Sequence, residues 1–413
     1  MSSIKKETLN YITQIYQSED FIVNPTAYFY DMSIVGKNIE ELEKNMPSQV
    51  RLYYAMKANP NEEIMQEMHE HNYVKGIEIA SAGELERALQ YYSGKDIIFT
   101  GPGKTDFELE QAIVNSIRLI NVESMTEAVR INNIIKRLDR EPIDVLLRIN
   151  LNYSVIDGVE NMSGYSTKMG IDEEVYIENY KAINRMEGIN VRGIHAFAAS
   201  GVLDYQTLLD VDRYIFDFVD RLQQEVGNID IIDLGGGLGI DYTDQNRELN
   251  VIQYGKHLSK LIEQYNLVGK EIIMELGTYI VGNAGYYTAK IIDIKKVKGK
   301  KHIIIAGGVN HMGLPLEMRR KHPVRIIQMH ASKLYPEQMG VYKETVDISG
   351  PLCIVSDKLS WDEYIECAEI GDIVVYLQAG AYCFGEGMHE FLMHMRPAEV
   401  TLLSAPSPYL SSL

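Results

Sequence analysis

Between residues 50 and 280 the chain repeats one unit, a short β-rich apolar run followed by an amphipathic stretch. The runs are Leu52–Met56, Gly76–Ile79, Asp96–Thr100, Arg118–Val122, Ile143–Ile149, Arg192–Phe197, Ile229–Leu234 and Glu271–Glu275. Runs this short and apolar suit strands of a parallel sheet buried on both faces. Between them, Asn61–Glu70 places Ile64, Met65 and Met68 on one helical face, and Thr105-Asp106-Phe107-Glu108 has the residues of a capping box. Eight strands separated by helices predict an α/β fold, a (β/α)8 TIM-like barrel over residues 35–284. Such a barrel takes roughly 250 residues.

A chain of 413 residues exceeds one such core. Beyond residue 285, Tyr286–Lys296, His302–Ile305, Val324–Met329, Glu344–Ile348, Asp372–Leu377 and Glu399–Leu403 read as strands with little helix between them. Tyr28–Asp31 is a further strand with no role in the barrel. Residues 1–34 and 285–413 are therefore expected to form one β-domain. The formal net charge of −18 argues against nucleic acid or an anionic membrane surface as partner. Only three cysteines, Cys353, Cys367 and Cys383, point to a reducing compartment. No signal-peptide stretch opens the sequence and no apolar run reaches about 18 residues. A cytoplasmic protein without membrane association is expected.

Barrels collect their chemistry at the C-terminal ends of their strands, and the unusual residues of this chain fall there. Lys57 follows the first run. Glu78 and Ser81 end the second, and Gly101-Pro102-Gly103-Lys104 follows the third. Arg148 and Asn150 end the fifth; His195, Phe197 and Ser200 mark the end of the sixth. Gly235-Gly236-Gly237-Leu238-Gly239 follows the seventh, and Glu275-Leu276-Gly277 ends the eighth. Lys57 is either a strand-end lysine reaching water or a desolvated amine suited to a Schiff base with pyridoxal 5'-phosphate (PLP). The glycine loop is a tight turn or a phosphate cradle of backbone N–H groups, and four glycines in five residues exceed what a turn needs. A dinucleotide fingerprint fits less well, since it belongs on the first strand of a Rossmann unit.

Glu275 is a salt-bridge partner, a metal ligand or the partner of a pyridine nitrogen that it would keep protonated. The sequence shows no cluster of acids or imidazoles around it, so no metal is expected. Glu78 supports the same charge or is a solvated acid. His195 and Phe197 share a strand face, where Phe197 stacks on a flat cofactor or fills the barrel mouth. Ser200 reaches a phosphate oxygen or makes a turn. In the β-domain, Cys353 is a small packed residue or a thiol proton donor, and Tyr382 either donates its hydroxyl to a phosphate or packs.

Six motifs occur in order: Tyr-Ala-Met-Lys-Ala-Asn at 54–59, Glu-Ile-Ala-Ser-Ala-Gly-Glu-Leu at 78–85, Gly-Gly-Gly-Leu-Gly at 235–239, Gly-Pro-Leu-Cys at 350–353, Gly-Ala-Tyr at 380–382 and Arg-Pro-Ala-Glu-Val at 396–400. On these the chain, from about Tyr28 to Val400, resembles the fold-type III PLP-dependent decarboxylases, the family of diaminopimelate, ornithine and arginine decarboxylases. Gly101-Pro102-Gly103-Lys104-Thr105-Asp106 and Asp293-Ile294-Lys295-Lys296-Val297 are most similar to the branch serving carboxylate-siderophore pathways. A relative in aminoglycoside biosynthesis acts on glutamate held on a carrier protein, so the substrate is a free or a carrier-bound amino acid. The resemblance implies a barrel plus β-domain of the alanine racemase/ornithine decarboxylase type, in a head-to-tail homodimer with shared active sites. Within it, Lys57 and Cys353 are the catalytic residues, Cys353 reaching the site from the partner subunit. Lys57, Glu78, His195, Phe197, Ser200, Gly235, Gly236, Gly237, Glu275, Gly277, Thr278 and Tyr382 surround PLP, and Arg148 and Asp357 meet the substrate.

Three positions depart from the family pattern. Where the family has Glu-Pro-Gly-Arg, with arginine on the cofactor phosphate, this chain has Glu275-Leu276-Gly277-Thr278. Phe197 replaces the stacking histidine. Ile354 replaces the acid that reads a distal amine, which speaks against ornithine, lysine and diaminopimelate, and leaves Asp357 as a candidate for that task. The resemblance implies PLP-dependent decarboxylation. The rival readings are a racemase or epimerase on the same scaffold, a non-catalytic PLP-binding homologue and a barrel enzyme without PLP. Racemases of this fold usually place arginine at the pyridine nitrogen, so Glu275 favours decarboxylation.

Overall fold

All eight runs are strands: Val50–Ala55, Val74–Ile79, Ile97–Phe99, Leu119–Val122, Ile143–Asn150, Ile189–Ala196, Ile231–Asp233 and Glu271–Leu276. They pair in parallel in the order fourth, third, second, first, eighth, seventh, sixth, fifth. The fifth strand then pairs back onto the fourth through Ile120↔Val145 and Val122↔Leu147, closing the sheet and leaving it no free edge. This computed structural model describes residues 4–155, 160–243, 247–317, 321–329 and 340–402. The chain divides into two units, one of Gly36–Ile240 with Glu248–Tyr279 and one of Met1–Val35, Asp241–Arg247 and Ile280–Leu413. The short segment Asp241–Arg247, inside the barrel span expected from sequence, groups with the second unit.

The barrel interior is built in layers. Side chains alternate along a strand, so every second residue points inward. Tyr53, Ile98, Leu119, Leu146, Ile231 and Ile273, from six different strands, form one buried cluster. Only the inside of a closed barrel brings those six strands together. Register places Gly76 beside Tyr53, and Gly193 beside Leu146 and Ile231, at the same level. Two residues further along, the interior turns polar. Glu78, Thr100, Asn121, Arg148, His195, Asp233 and Glu275 are the corresponding residues of the second to eighth strands and their immediate ends, and all are buried. Outside, helix Glu62–Glu70 buries Ile64, Met65 and Met68, and Thr105 and Glu108 form the expected capping box.

The second unit holds a mixed sheet. Val324–Ile327, Ile373–Tyr376, Gly285–Val297, Lys300–Ile305, Val341–Ser349 and Lys358–Ala368 are neighbours in that order. The N-terminal strand Thr26–Asp31 pairs antiparallel with Gly285–Val297 and parallel with Ala398–Leu402. Leu403, the last residue of the expected final strand, lies outside the described residues. Two elements differ from the sequence expectation. Helix Lys6–Ile15 joins the core of this unit, with Ile12 in one cluster with Phe29, Tyr286 and Val375. Lys358–Ala368 is a strand at the sheet edge, paired with Val341–Ser349. Its exposed Asp362, Tyr364 and Glu366 interrupt any apolar run, which hides a one-faced edge strand from a search for buried ones. No helix among the described residues is long and apolar enough to cross a membrane.

The interior layer leaves no room at Gly193, where a Cβ would lie 1.8 Å from the Ile231 carbonyl oxygen. Gly193→Ala is expected to destabilise the protein by about 3 kcal/mol through overpacking. Gly103→Ala, whose Cβ would meet nothing within 4 Å, should change stability by less than about 0.5 kcal/mol. Chemical denaturation of both variants measures the contrast, and equal stabilities would contradict it.

Candidate active site

Lys57 lies in the 3-10 turn Met56–Ala58 that ends the first strand. Its ammonium bonds both oxygens of Glu78, at 3.0 Å each. Glu78 is fully buried, whereas the lysine side chain keeps 37% of its exposure. The amine is thus oriented by a buried carboxylate on a side chain that is itself partly exposed. Gly277 lets the eighth strand approach this turn, since a Cβ there would sit 2.5 Å from Ala58 Cβ.

Glu275 is fixed from across the barrel. Its Oε1 accepts the Thr100 hydroxyl at 3.2 Å and the Asn121 amide at 3.1 Å. Asn121 also donates to Thr100 Oγ1 at 2.9 Å. Asp233, one strand over, is fully buried; its Oδ1 accepts the Gly235 N–H at 2.8 Å. His195 is in register with both Arg148 and Asp233. Its Nε2 lies 3.7 Å from Glu275 Oε2. Ligand atoms of His195, Asp233 and Glu275 fall within 4.8 Å of one another. The sequence expectation that Glu275 lacks an acid-and-imidazole neighbourhood is therefore corrected, because three strands contribute one residue each. Burial, reinforced by the Asp233 and Glu78 charges, pushes the Glu275 carboxyl well above the ordinary range. Burial likewise raises Asp233. Burial, with the Arg148, Lys57 and Lys104 charges, drives His195 well below its usual value and keeps the ring neutral. Sequence reading missed Thr100, Asn121 and Asp233. Their signal was a polar residue two positions after an inward apolar one.

Arg148 stands near the end of the fifth strand, beside His195 in register. Its guanidinium is buried and paired with Glu123 at 2.9 Å. Glu123 also accepts the Gly170 N–H at 2.9 Å, so the pair braces the rim. Lys104 is buried too, bonding the carbonyls of Gly101 and Asn121 and the Glu127 carboxylate, each at 2.7 Å.

The glycine loop follows the seventh strand. A Cβ at Gly235 would lie 2.9 Å from Phe197 Cβ, at Gly236 2.5 Å from the Glu275 carbonyl, at Gly237 2.9 Å from the Ala199 carbonyl and at Gly239 2.4 Å from Gly201. Close packing by itself therefore demands all four glycines, which corrects the sequence argument that they exceed a turn's need. The functional signal lies in the backbone: Gly236 and Gly237 are partly exposed, and no acceptor among the described residues takes their N–H groups. Phe197, Ser200 and Thr278 are also partly exposed at the same strand ends. These features fit PLP: an oriented amine at Lys57, open N–H donors for a phosphate, and a buried carboxyl beside orphaned polar atoms, Asp233 Oδ2 and both His195 nitrogens.

The second unit carries the other expected residues. Cys353 is exposed on the turn after Val341–Ser349. Asp357 is buried, and its two oxygens accept the N–H groups of Val309 at 2.8 Å and Leu352 at 2.7 Å. Its carboxylate thereby ties the loop that carries Cys353 to the segment after Lys300–Ile305. Tyr382 has φ of 62°, a left-handed conformation costing an aromatic residue about 1–2 kcal/mol. Such strain concentrates at functional positions.

Residues 32–282 match the family model described as pyridoxal-dependent decarboxylase, pyridoxal binding domain. The chain is 31% identical, over 91% of its length and 93% of the relative's, to a 2-[(L-alanin-3-ylcarbamoyl)methyl]-2-hydroxybutanedioate decarboxylase of Staphylococcus aureus. It is 27% identical to an L-glutamyl-[BtrI acyl-carrier protein] decarboxylase of Niallia circulans, over 90% of this chain and 87% of that one. Among solved structures, a diaminopimelate decarboxylase from M. jannaschii in complex with L-lysine superimposes with TM-score 0.81 at 27% identity, covering 94% of this chain and 89% of that one.

Gly235 combines φ of +63° with contact to Phe197. Gly235→Ala should weaken PLP binding at least about tenfold, equivalent to about 1.4 kcal/mol. Equilibrium titration of the apoprotein measures this, and unaltered affinity would contradict a role for the loop.

Proposed function

From the premise that the chain belongs to the pyridoxal-dependent decarboxylase family, we propose that this PLP-dependent amino-acid decarboxylase acts on an amino acid lacking a distal amine. The substrates in view are those built into carboxylate siderophores, free or carrier-bound, and the enzyme works as a cytoplasmic homodimer. One observation carries the substrate reading: the acid nearest the catalytic cysteine, Asp357, spends both oxygens on backbone N–H groups. Asp357 is also buried, so with Ile354 at the other candidate position that turn presents no exposed carboxylate to a substrate ammonium. The names of the two relatives agree, since neither an alanine joined through C3 to a hydroxybutanedioate nor a carrier-bound glutamyl group has a distal amine.

Bound PLP supplies the electron sink for the charge left at Cα when carbon dioxide departs. Lys57 is the amine that holds it, and Glu78 orients that amine. Glu275 would be the partner of the ring nitrogen, where a carboxylate favours the protonated form. The Gly236 and Gly237 N–H groups, with Ser200 and Thr278, would hold the phosphate, backbone donors compensating for the absent arginine. Phe197, partly exposed at the sixth strand's end, would offer its face to the ring. Arg148 braces the rim through Glu123, and Asp357 sets the Cys353 turn. The partner subunit's Cys353 returns a proton to Cα, a role its exposure suits.

Incubation with PLP and a panel of L-amino acids is expected to release carbon dioxide from acidic or amide-bearing substrates at least tenfold faster than from lysine, ornithine or diaminopimelate. A racemised product without carbon dioxide would overturn the reaction, and preference for lysine or ornithine would overturn the substrate class. Lys57→Ala should abolish the visible absorbance of the PLP-loaded protein. An unchanged spectrum removes Lys57 from its role.

A further inference from the structure

Asp233 remains unexplained by the roles above. It is a fully buried acid, its Oδ2 has no hydrogen-bond partner among the described residues, and it shares the barrel floor with Glu275. The fixed sides of the two carboxyls are already occupied, Asp233 Oδ1 by the Gly235 N–H and Glu275 Oε1 by Thr100 and Asn121. Asp233 Oδ2 and both His195 nitrogens are buried without a hydrogen-bond partner among the described residues, Glu275 Oε2 lies 3.7 Å from His195 Nε2, and atoms of the three side chains lie within 4.8 Å of one another.

We propose that Asp233 is a positioning residue of the reaction: it holds one proton jointly with Glu275, so that the proton needed at the cofactor ring nitrogen is stored in the site before the cofactor arrives. The proposal rests on the reading of Glu275 as that nitrogen's partner. Two buried carboxylates this close do not both ionise readily, as in paired-carboxylate enzymes. The surrounding groups set the count. Glu78 adds negative charge, and Lys57 offsets it at 3.0 Å. Arg148 is neutralised by Glu123, and Lys104 by Glu127. His195 is neutral and supplies no counter-charge. The proton therefore stays between Asp233 and Glu275. When the site is filled, it leaves a Glu275 oxygen for the ring nitrogen. The bonding electron pair stays on the carboxylate, and Asp233 keeps Glu275 basic enough to have held that proton at neutral pH.

The linkage has a definite sign. Both carboxyls bind protons more tightly folded than unfolded, so they favour folding at low pH, and that stability is lost as pH rises from the ordinary carboxylate range through the raised values. Apoprotein melting temperatures between pH 5 and 8 should fall less steeply in Asp233→Asn than in the parent, and Glu275→Gln, which breaks the pair from the other side, should match it. Calorimetric titration of apoprotein with PLP, in buffers of different ionisation enthalpy, should show about one more proton taken up by Asp233→Asn than by the parent. Equal proton counts and equal pH slopes would overturn the proposal, whichever variant folds. Zn2+ stabilising the parent apoprotein but not Asp233→Asn would also overturn it, making the cluster a cation site. If Glu275→Gln keeps the parent's PLP affinity and spectrum, the reading of Glu275 itself fails, while the apoprotein slopes still decide whether the pair exists.

Discussion

Closure of the sheet by the fifth strand on the fourth is the constraint on which the barrel's chemistry depends. Once the strands are parallel and closed, register determines which side chains meet. The interior level of Tyr53, Ile98, Leu119, Leu146, Ile231 and Ile273 is apolar and supports the one above it. That next level carries Glu78, Thr100, Asn121, Arg148, His195, Asp233 and Glu275. The polar groups are thus held by packing beneath them and by hydrogen bonds across the barrel, as in Asn121 and Thr100 to Glu275. Rigid strands, not mobile loops, define this floor.

Such a floor is unfavourable for folding by itself. At an effective dielectric of about 20, like charges about 4 Å apart repel by about 4 kcal/mol. The structure limits that cost by pairing. Lys57 meets Glu78, Lys104 meets Glu127 and Arg148 meets Glu123. Asp233 and Glu275 are the exception, and burial raises both. Unrelieved carboxyls at the closed end of an open strand-end site mark chemistry more than stability. In the second unit the logic is different. Asp357 is satisfied by two backbone N–H groups, so its charge serves the shape of the Cys353 turn.

Much of this was legible before any coordinates. Eight short apolar runs separated by amphipathic stretches pointed to the barrel, because parallel strands buried on both faces are apolar throughout. Lys57, Glu78 and Glu275 stood out since each ends or follows such a run. The edge strand Lys358–Ala368 and the helix Lys6–Ile15 were hidden, since half of each faces water and propensity is weak there. Arg148 and Asp357 looked available for a ligand because a sequence lists side chains without their partners.

The sequence by itself therefore determined the strand and helix rhythm, the glycine loop and the identity of the strand-end residues, all of which are local in the chain. Tertiary structure decided what each does. Glu123 claims Arg148, the backbone of the Cys353 loop claims Asp357, and three strands place Asp233 and His195 beside Glu275. The physical reason is that ionic pairing, burial and packing act through space over a few ångströms, whereas partners such as Arg148–Glu123 and Asn121–Glu275 lie 25 and 154 positions apart along the chain.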